Sequence, residues 1–221
     1  MRIVLLGAPG SGKGTEASLL SERMNIPHVS TGDILRQAIA EKTQLGEKAK
    51  SYVEGGGLVP DEVMIGLVGE RLRKEDCRKG FILDGFPRTL EQAETLQGIL
   101  SKLDYSLDFV FHLEVPVEVL VKRLAGRRVC RKCQALYHVK NMPPKKEGVC
   151  DRCGEKLYQR PDDREDVVRS RLEIYESKAE ELLGYYRERS LLYTIYSGKG
   201  PQETFEEIRR VIEKKIKDDS S

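Results

Sequence analysis

No charge of one sign dominates this chain. Lys+Arg 38 stand against Asp+Glu 36, a formal net charge of +2 at pH 7. That balance speaks against a general nucleic-acid binder and a polybasic membrane anchor. No apolar run approaches the roughly 20 residues that cross a bilayer. The opening stretch Ile3-Val4-Leu5-Leu6 is too short for a secretory signal. Histidine is scarce: His28, His112 and His138 lie far apart, and no Ser–His–Asp or Cys–His grouping emerges. There is no internal repeat, no low-complexity tract and no Asn-Lys-x-Asp guanine motif. These absences predict a cytoplasmic protein. Its 221 residues suffice for one large domain with insertions, and a charged fraction of 33% fits a soluble, heat-tolerant chain.

What is present begins directly after the first apolar run. Gly7-Ala8-Pro9-Gly10-Ser11-Gly12-Lys13-Gly14-Thr15 couples a short buried strand to a glycine-rich loop, with one lysine where a helix should start. Glycines let successive backbone N–H groups turn toward one anion, and the helix start adds its positive dipole end. Lys13 supplies a point charge for the outer phosphates of a nucleoside triphosphate. Gly7-x4-Gly12-Lys13 fits the P-loop spacing, although the hydroxyl expected after the lysine is displaced to Thr15. A dinucleotide-binding reading fails, because from Gly10-x-Gly12 the third glycine would fall at Thr15.

The rest of the chain alternates strand and helix. Strands are predicted over 2–6, 27–30, 81–84, 108–114 and 191–196. Helices are predicted near 13–24, 31–41, 61–74, 89–101, 116–126, 164–188 and 202–217. Asp61 after Pro60 reads as a helix cap, Thr89 opens a Thr-x-x-Gln capping box with Gln92, and Pro116 suits a first helical turn. This alternation predicts an α/β fold, a parallel sheet with helices on both faces. Two segments interrupt it: 30–59, which ends in Gly55-Gly56-Gly57, and 127–163.

The second interruption carries Cys130-x-x-Cys133 and Cys150-x-x-Cys153, sixteen residues apart. Two such hooks complete a tetrahedral zinc shell, and four thiolates leave no open position for catalysis. The segment reads as a small β-ribbon stapled by metal, since it has too little apolar content to fold alone. Cys77 reads as a spectator thiol near a helix end.

Asp84 ends the strand Phe81-Ile82-Leu83-Asp84 and is placed to hold magnesium through water. Gly85-Phe86-Pro87-Arg88 follows at the ligand edge of the sheet. Arg36, Arg123, Arg127, Arg160 and Arg171 recur at the insertions and helices around it; Arg123 and Arg127, four apart, are expected on one helix face. Converging on one cleft, they would hold two polyanions by bidentate contacts. An anionic acceptor needs no deprotonation, so catalysis would reduce to positioning and charge neutralisation.

The chain resembles the adenylate kinase family, in its long-lid bacterial form, over essentially its whole length. The resemblance rests on Gly7 to Thr15, Ser30-Thr31-Gly32-Asp33 with Arg36, and Leu58-Val59. It continues through Asp84 to Arg88 with Gln92, Gly126-Arg127-Arg128, Tyr137-His138-Val139, Arg160-x-Asp162-Asp163 and Gly184-Tyr185-Tyr186. It implies a P-loop nucleoside monophosphate kinase fold with a five-stranded parallel sheet and an inserted zinc-bound β lid. The implied core spans 1–29, 60–125 and 164–221, with an AMP-binding arm at 30–59 and a lid at 126–163. The implied reaction is reversible and magnesium-dependent, ATP + AMP = 2 ADP, in a monomer. Lid closure would keep water from the phosphoryl group, adenylate kinase lids being a standard instance of such gating.

By resemblance, Thr31, Arg36, Gly57, Leu58, Val59, Gly85, Phe86, Pro87, Arg88 and Gln92 hold AMP. Gly10, Ser11, Gly12, Lys13, Gly14 and Thr15 hold ATP, joined by Arg127, Leu136, Tyr137 and the backbone of Gly200. Lys13 and Arg123 flank the transferred group, Asp84 serves the metal, Arg88 is catalytic as well as AMP-holding, and Arg160 and Arg171 close over both nucleotides. Gln92 serves equally well as the partner of the Thr89 cap. Two alternatives stay open: a kinase for another monophosphate or with GTP as donor, and a zinc-ribbon nucleic-acid-dependent ATPase using Lys140, Lys145 and Lys146. The few aromatic residues of that ribbon count against the latter.

Overall fold

The computed structural model describes residues 1–55 and 57–218. Gly56, in the glycine triplet, lies outside the described residues. Five strands form one parallel sheet: β1 (Arg2–Leu6), β2 (His28–Ser30), β3 (Phe81–Asp84), β4 (Phe109–Glu114) and, later in the chain, β8 (Leu192–Tyr196). Their order is β2-β3-β1-β4-β8. The chain runs first to one side of β1 and then to the other, so the carboxyl end of β1 faces a switch point, where such sheets bind ligands.

The apolar strand runs divide by period two. Val4, Leu6, Val29, Leu83 and Val110 join one buried cluster, while Ile3, Leu5, Ile82, Phe109, Phe111 and Leu113 join another. Both faces are therefore covered, as a parallel sheet requires, each such side chain contributing about 1.5–3 kcal/mol by burial. Flanking helices are α1 (Lys13–Met24), α4 (Asp61–Leu72), α5 (Leu90–Lys102), α6 (Val117–Ala125), α7 (Glu165–Glu188) and α8 (Pro201–Asp218). The segment before α4 holds two further helices, α2 (Thr31–Ala40) and α3 (Gln44–Glu54). Ser30 caps α2 by accepting the Asp33 N–H, and Thr43 caps α3 by accepting the Gly46 N–H.

Between α6 and α7 a separate antiparallel sheet forms from β5 (Arg127–Cys130), β6 (Leu136–His138) and β7 (Leu157–Tyr158), in the order β6-β5-β7. Two local expectations are corrected here. Arg123 and Arg127 do not share a helix face, because α6 ends at Ala125 with Gly126 as its cap and Arg127 opens β5. Asp61 does not cap α4: Pro60 occupies the cap position, and the Asp61 carboxylate turns to α5 instead.

Candidate active site

The loop after β1 is shaped by glycines in the left-handed region. Gly7 has φ +144°, and a Cβ there would lie 2.7 Å from Ser11 Oγ and 2.8 Å from the Leu113 carbonyl; Gly12 has φ +102°. Only glycine takes this path without strain. Lys13 curls back so that its ammonium donates to the carbonyls of Gly7 (2.7 Å) and Ala8 (2.9 Å). Burial pushes its pKa down to about 8, against the opposing pull of Asp84. A polyphosphate would reverse that shift by bringing negative charge to the ammonium.

Asp84 lies directly over the first turn of α1. Its carboxylate would sit 3.4 Å from a Cβ on Gly14, and its other near partner is His28 Nε2 at 3.2 Å. Thr31, fully buried, donates its hydroxyl to the Asp84 carbonyl. An acid at a phosphate loop, open toward solvent on one side, suits a magnesium ion carried in by a nucleotide.

Around Lys13 the structure gathers Arg36, Arg88, Arg127, Arg160 and Arg171, which interact electrostatically with it or with one another. Arg88 is open to solvent at the cleft mouth, yet protein atoms surround it. Burial first, then the neighbouring charges of Arg171 and Arg36, lowers its pKa to about 10. Arg160 is 8% exposed and also lowered to about 10, by burial and by Arg36 and Arg127. Two guanidinium groups about 5 Å apart repel by about 3 kcal/mol at an effective dielectric of 20. Carboxylates offset this. Arg127 makes a fork to Asp163, with its Nε 2.8 Å from Oδ2, and Arg171 donates to the Asp162 carboxylate at 2.8 Å and carbonyl at 2.7 Å. Arg36 pairs with Asp33 through a single contact to Oδ1. Nε of Arg36 and Nε of Arg160 nonetheless remain buried without a hydrogen-bond partner. Orphaned cationic donors in a cleft call for an anion.

Beside this cluster, Leu35, Leu58, Val59, Met64, Gly85, Arg88 and Gln92 line a recess. Phe86, 1% exposed, and Pro87 are buried and are not among the residues that line it; Phe86 packs in the core. Gly57 is tied to α3 by its N–H to the Tyr52 carbonyl at 2.9 Å. A further recess across Val59, lined by Lys48, Ala49, Tyr52, Pro60 and Val63, is apolar apart from Lys48.

Not every expected residue joins the cluster. Arg123 donates to the carbonyls of Ser197 (2.9 Å) and Gly198 (3.4 Å), on the loop after β8. Its electrostatic partners are Tyr196 and Glu16, not the phosphate-facing cations. Gly200 offers its carbonyl to the Thr204 N–H and hydroxyl at the start of α8. Leu136 is half open on the small sheet, whereas Tyr137 is buried there. Asp61 and Glu16 are polar residues of the site region that the sequence did not single out for it. Their roles depend on contacts between distant segments, for which no local pattern exists.

A model of the adenylate kinase family matches residues 5–191. The chain belongs to the adenylate kinase family. It is 50% identical over 212 residues to an adenylate kinase of Caldicellulosiruptor bescii, covering 96% of this chain and 99% of that one. An adenylate kinase of Archaeoglobus fulgidus is 50% identical over 214 residues, covering 97% and 99%. One from a Geobacillus species is 50% identical over 212 residues, covering 96% and 98%. The five-stranded parallel sheet with its P-loop is thus an adenylate kinase fold, and the chain is a nucleoside monophosphate kinase.

The small sheet carries the four cysteines of the two hooks. Sγ atoms of Cys130, Cys133, Cys150 and Cys153 all lie within 4.8 Å of one another. The pairs Cys130–Cys153, Cys133–Cys150 and Cys133–Cys153 are 3.4, 3.5 and 3.5 Å apart. Thiolates placed tetrahedrally at 2.3 Å from one zinc ion stand about 3.8 Å apart, so the four residues fit a metal centre. All five cysteines are unbridged. Tyr137 completes the surroundings: its hydroxyl accepts the Asp151 N–H at 2.8 Å and lies 3.5 Å from Cys150 Sγ. With its lone pair engaged, the hydroxyl proton is free to point at the sulfur.

Proposed function

We propose that the chain catalyses reversible, magnesium-dependent phosphoryl transfer, ATP + AMP = 2 ADP, balancing adenine nucleotides. The observation that carries this reading is the convergence of Lys13, Arg36, Arg88, Arg127, Arg160 and Arg171 on one cleft beside the P-loop. Gly10, Ser11, Gly12, Lys13, Gly14 and Thr15 would cradle the donor phosphates, and the recess at Leu58, Val59, Gly85 and Gln92 would take AMP with Thr31 and Arg36. Arg88, Arg160 and Arg171 would neutralise both phosphate chains. The acceptor is already an anion, so no proton has to leave it, and the residues act by holding two like-charged groups in line.

Magnesium, when bound, neutralises charge on the phosphate oxygens, and Asp84 would hold it through water. Arg127 belongs to the donor side with Lys13, whereas the position of Arg123 supports contact with the base end of ATP, near Gly200. Tyr137, its side chain engaged with Cys150, would meet ATP through its backbone next to Leu136. We assign residues 1–29, 60–125 and 164–221 to a core, 30–59 to an AMP arm and 126–163 to a lid whose four thiolates take one structural zinc ion. The unbridged thiols support a cytoplasmic location. A monomer acting on ATP, AMP and ADP, with neither nucleic acid nor membrane, completes the reading.

The test is a coupled assay of ADP formation from ATP with AMP, GMP, UMP and CMP as acceptors. AMP should exceed the others by at least about 10-fold in kcat/KM. Comparable turnover of GMP or UMP overturns the choice of acceptor.

A further inference from the structure

Gln92 is 2% exposed at the wall of the monophosphate recess. Its side-chain oxygen accepts the Arg88 N–H at 2.8 Å, and its side-chain nitrogen donates to Asp61 Oδ1 at 2.6 Å. A backbone amide only donates and a carboxylate only accepts. The Gln92 amide therefore has one orientation, oxygen toward Arg88 and nitrogen toward Asp61. The second Asp61 oxygen accepts the Thr89 hydroxyl at 3.2 Å, and that hydroxyl accepts the Gln92 N–H at 3.2 Å. Asp61 thus ties the first turn of α4 to the first turn of α5 through a closed ring of hydrogen bonds.

The orientation matters because an amide is asymmetric. After these contacts Gln92 keeps one N–H and one oxygen lone pair for a ligand. Adenine presents an amino donor beside a ring-nitrogen acceptor, whereas guanine presents a carbonyl acceptor beside an N–H donor. An amide held one way round pairs with the first; turned over, it pairs with the second. We propose that Asp61 is a positioning residue that, together with the Arg88 N–H, sets the base selectivity of the monophosphate recess by holding the Gln92 amide in the adenine-reading orientation. This rests on the reading of that recess as the AMP site. Asp61 acts through Gln92 and touches no substrate.

The test compares the full-length wild type, Asp61→Leu and Asp61→Asn in steady-state assays with AMP and with GMP. Leucine matches aspartate in shape and accepts nothing; asparagine keeps an oxygen for the Gln92 N–H. Asp61→Leu should lower kcat/KM for AMP about 10-fold, through KM more than kcat, and narrow the AMP:GMP ratio by at least that factor. KM for ATP should not move, and Asp61→Asn should restore most of the ratio. If Asp61→Leu does not fold, Asp61→Ala carries the same comparison. An AMP-selective wild type whose ratio stays unshifted in the variant, both substrates losing equally, shows a structural tether only and overturns the proposal. A wild type with no preference for AMP overturns the assignment of the recess first, and this proposal with it.

Discussion

Glu16 shows how far a single residue can depart from its ordinary chemistry. It stands in the first turn of α1, where a carboxylate would be welcome by the helix dipole. It is nevertheless 1% exposed, and its Oε2 has no hydrogen-bond partner. Burial pushes its pKa from 4.5 up to about 8, with Arg123 pulling part of the way back. Below pH 4.5 the side chain is protonated in both the folded and the unfolded chain and its contribution is fully kept. Between 4.5 and about 8 only the unfolded chain releases the proton, so stability is lost as pH rises through that window. Discounted for Arg123 and residual solvent, the penalty near neutrality is about 1–2 kcal/mol. Glu16→Gln should therefore raise Tm by a few degrees at about pH 7.5 and hardly at all at about pH 5. An equal Tm gain at both pH values, by calorimetry, would sink this account. The sequence shows a glutamate after the P-loop threonine, but the burial of its carboxylate beside Arg123 is decided by packing between distant segments.

At the scale of elements, the small three-stranded sheet was the most legible part of the chain. The two Cys-x-x-Cys hooks are local, and backbone geometry alone brings each pair together. Its own core is small: Cys130, Ala135, Tyr137 and Cys150 are the buried members, with Leu157 packed against them. So little apolar burial cannot order some thirty-five residues without a cross-link. Metal analysis should find about one zinc per chain, and chelation should lower Tm by roughly 10 °C, near 3 kcal/mol for a chain of this size. A Tm indifferent to chelator, in protein shown to have lost its metal, would remove the staple. The helix predicted at 116–126 agrees with α6 within a residue, but the shared face expected for Arg123 and Arg127 was misjudged for a physical reason. Gly126 stops the helix, and Arg127 leaves the helical surface for a strand; spacing counts positions but does not say where a helix ends. Asp61 was misread as a cap because Pro60-Asp61 has the composition of one, while its partners Thr89 and Gln92 lie about thirty positions onward.

At the scale of the whole molecule, the parallel sheet brings the loop after β1, the helix after β2 and the turn after β3 to one edge, the small sheet adds Arg127, and α7 with the turn before it supplies Arg171 and Arg160. The cluster is pre-paid electrostatically: Asp162 and Asp163 hold Arg171 and Arg127 in place before any nucleotide arrives. Phosphate chains then compete for guanidinium groups that are already oriented. Because this attraction is ionic and acts across a cleft open to water, salt should weaken it. KM for both ATP and AMP should rise about 3- to 10-fold between roughly 0.05 and 0.3 M KCl, with kcat changing less. Steady-state kinetics with KM independent of salt would contradict an arginine-dominated site.

By itself the sequence determined everything that is written in neighbouring residues. The P-loop, the alternation of buried strands with helices, the metal hooks and the acid ending β3 follow from spacing, because strand, loop and helix start are contiguous. Which arginines meet, that Arg123 turns to Ser197 while Arg127 joins Lys13, that the Glu16 carboxyl is buried and that Asp61 grips Gln92 were decided only by the tertiary structure. Those outcomes are set by distances through space and by loss of water, and neither is encoded in the separation of residues along a chain.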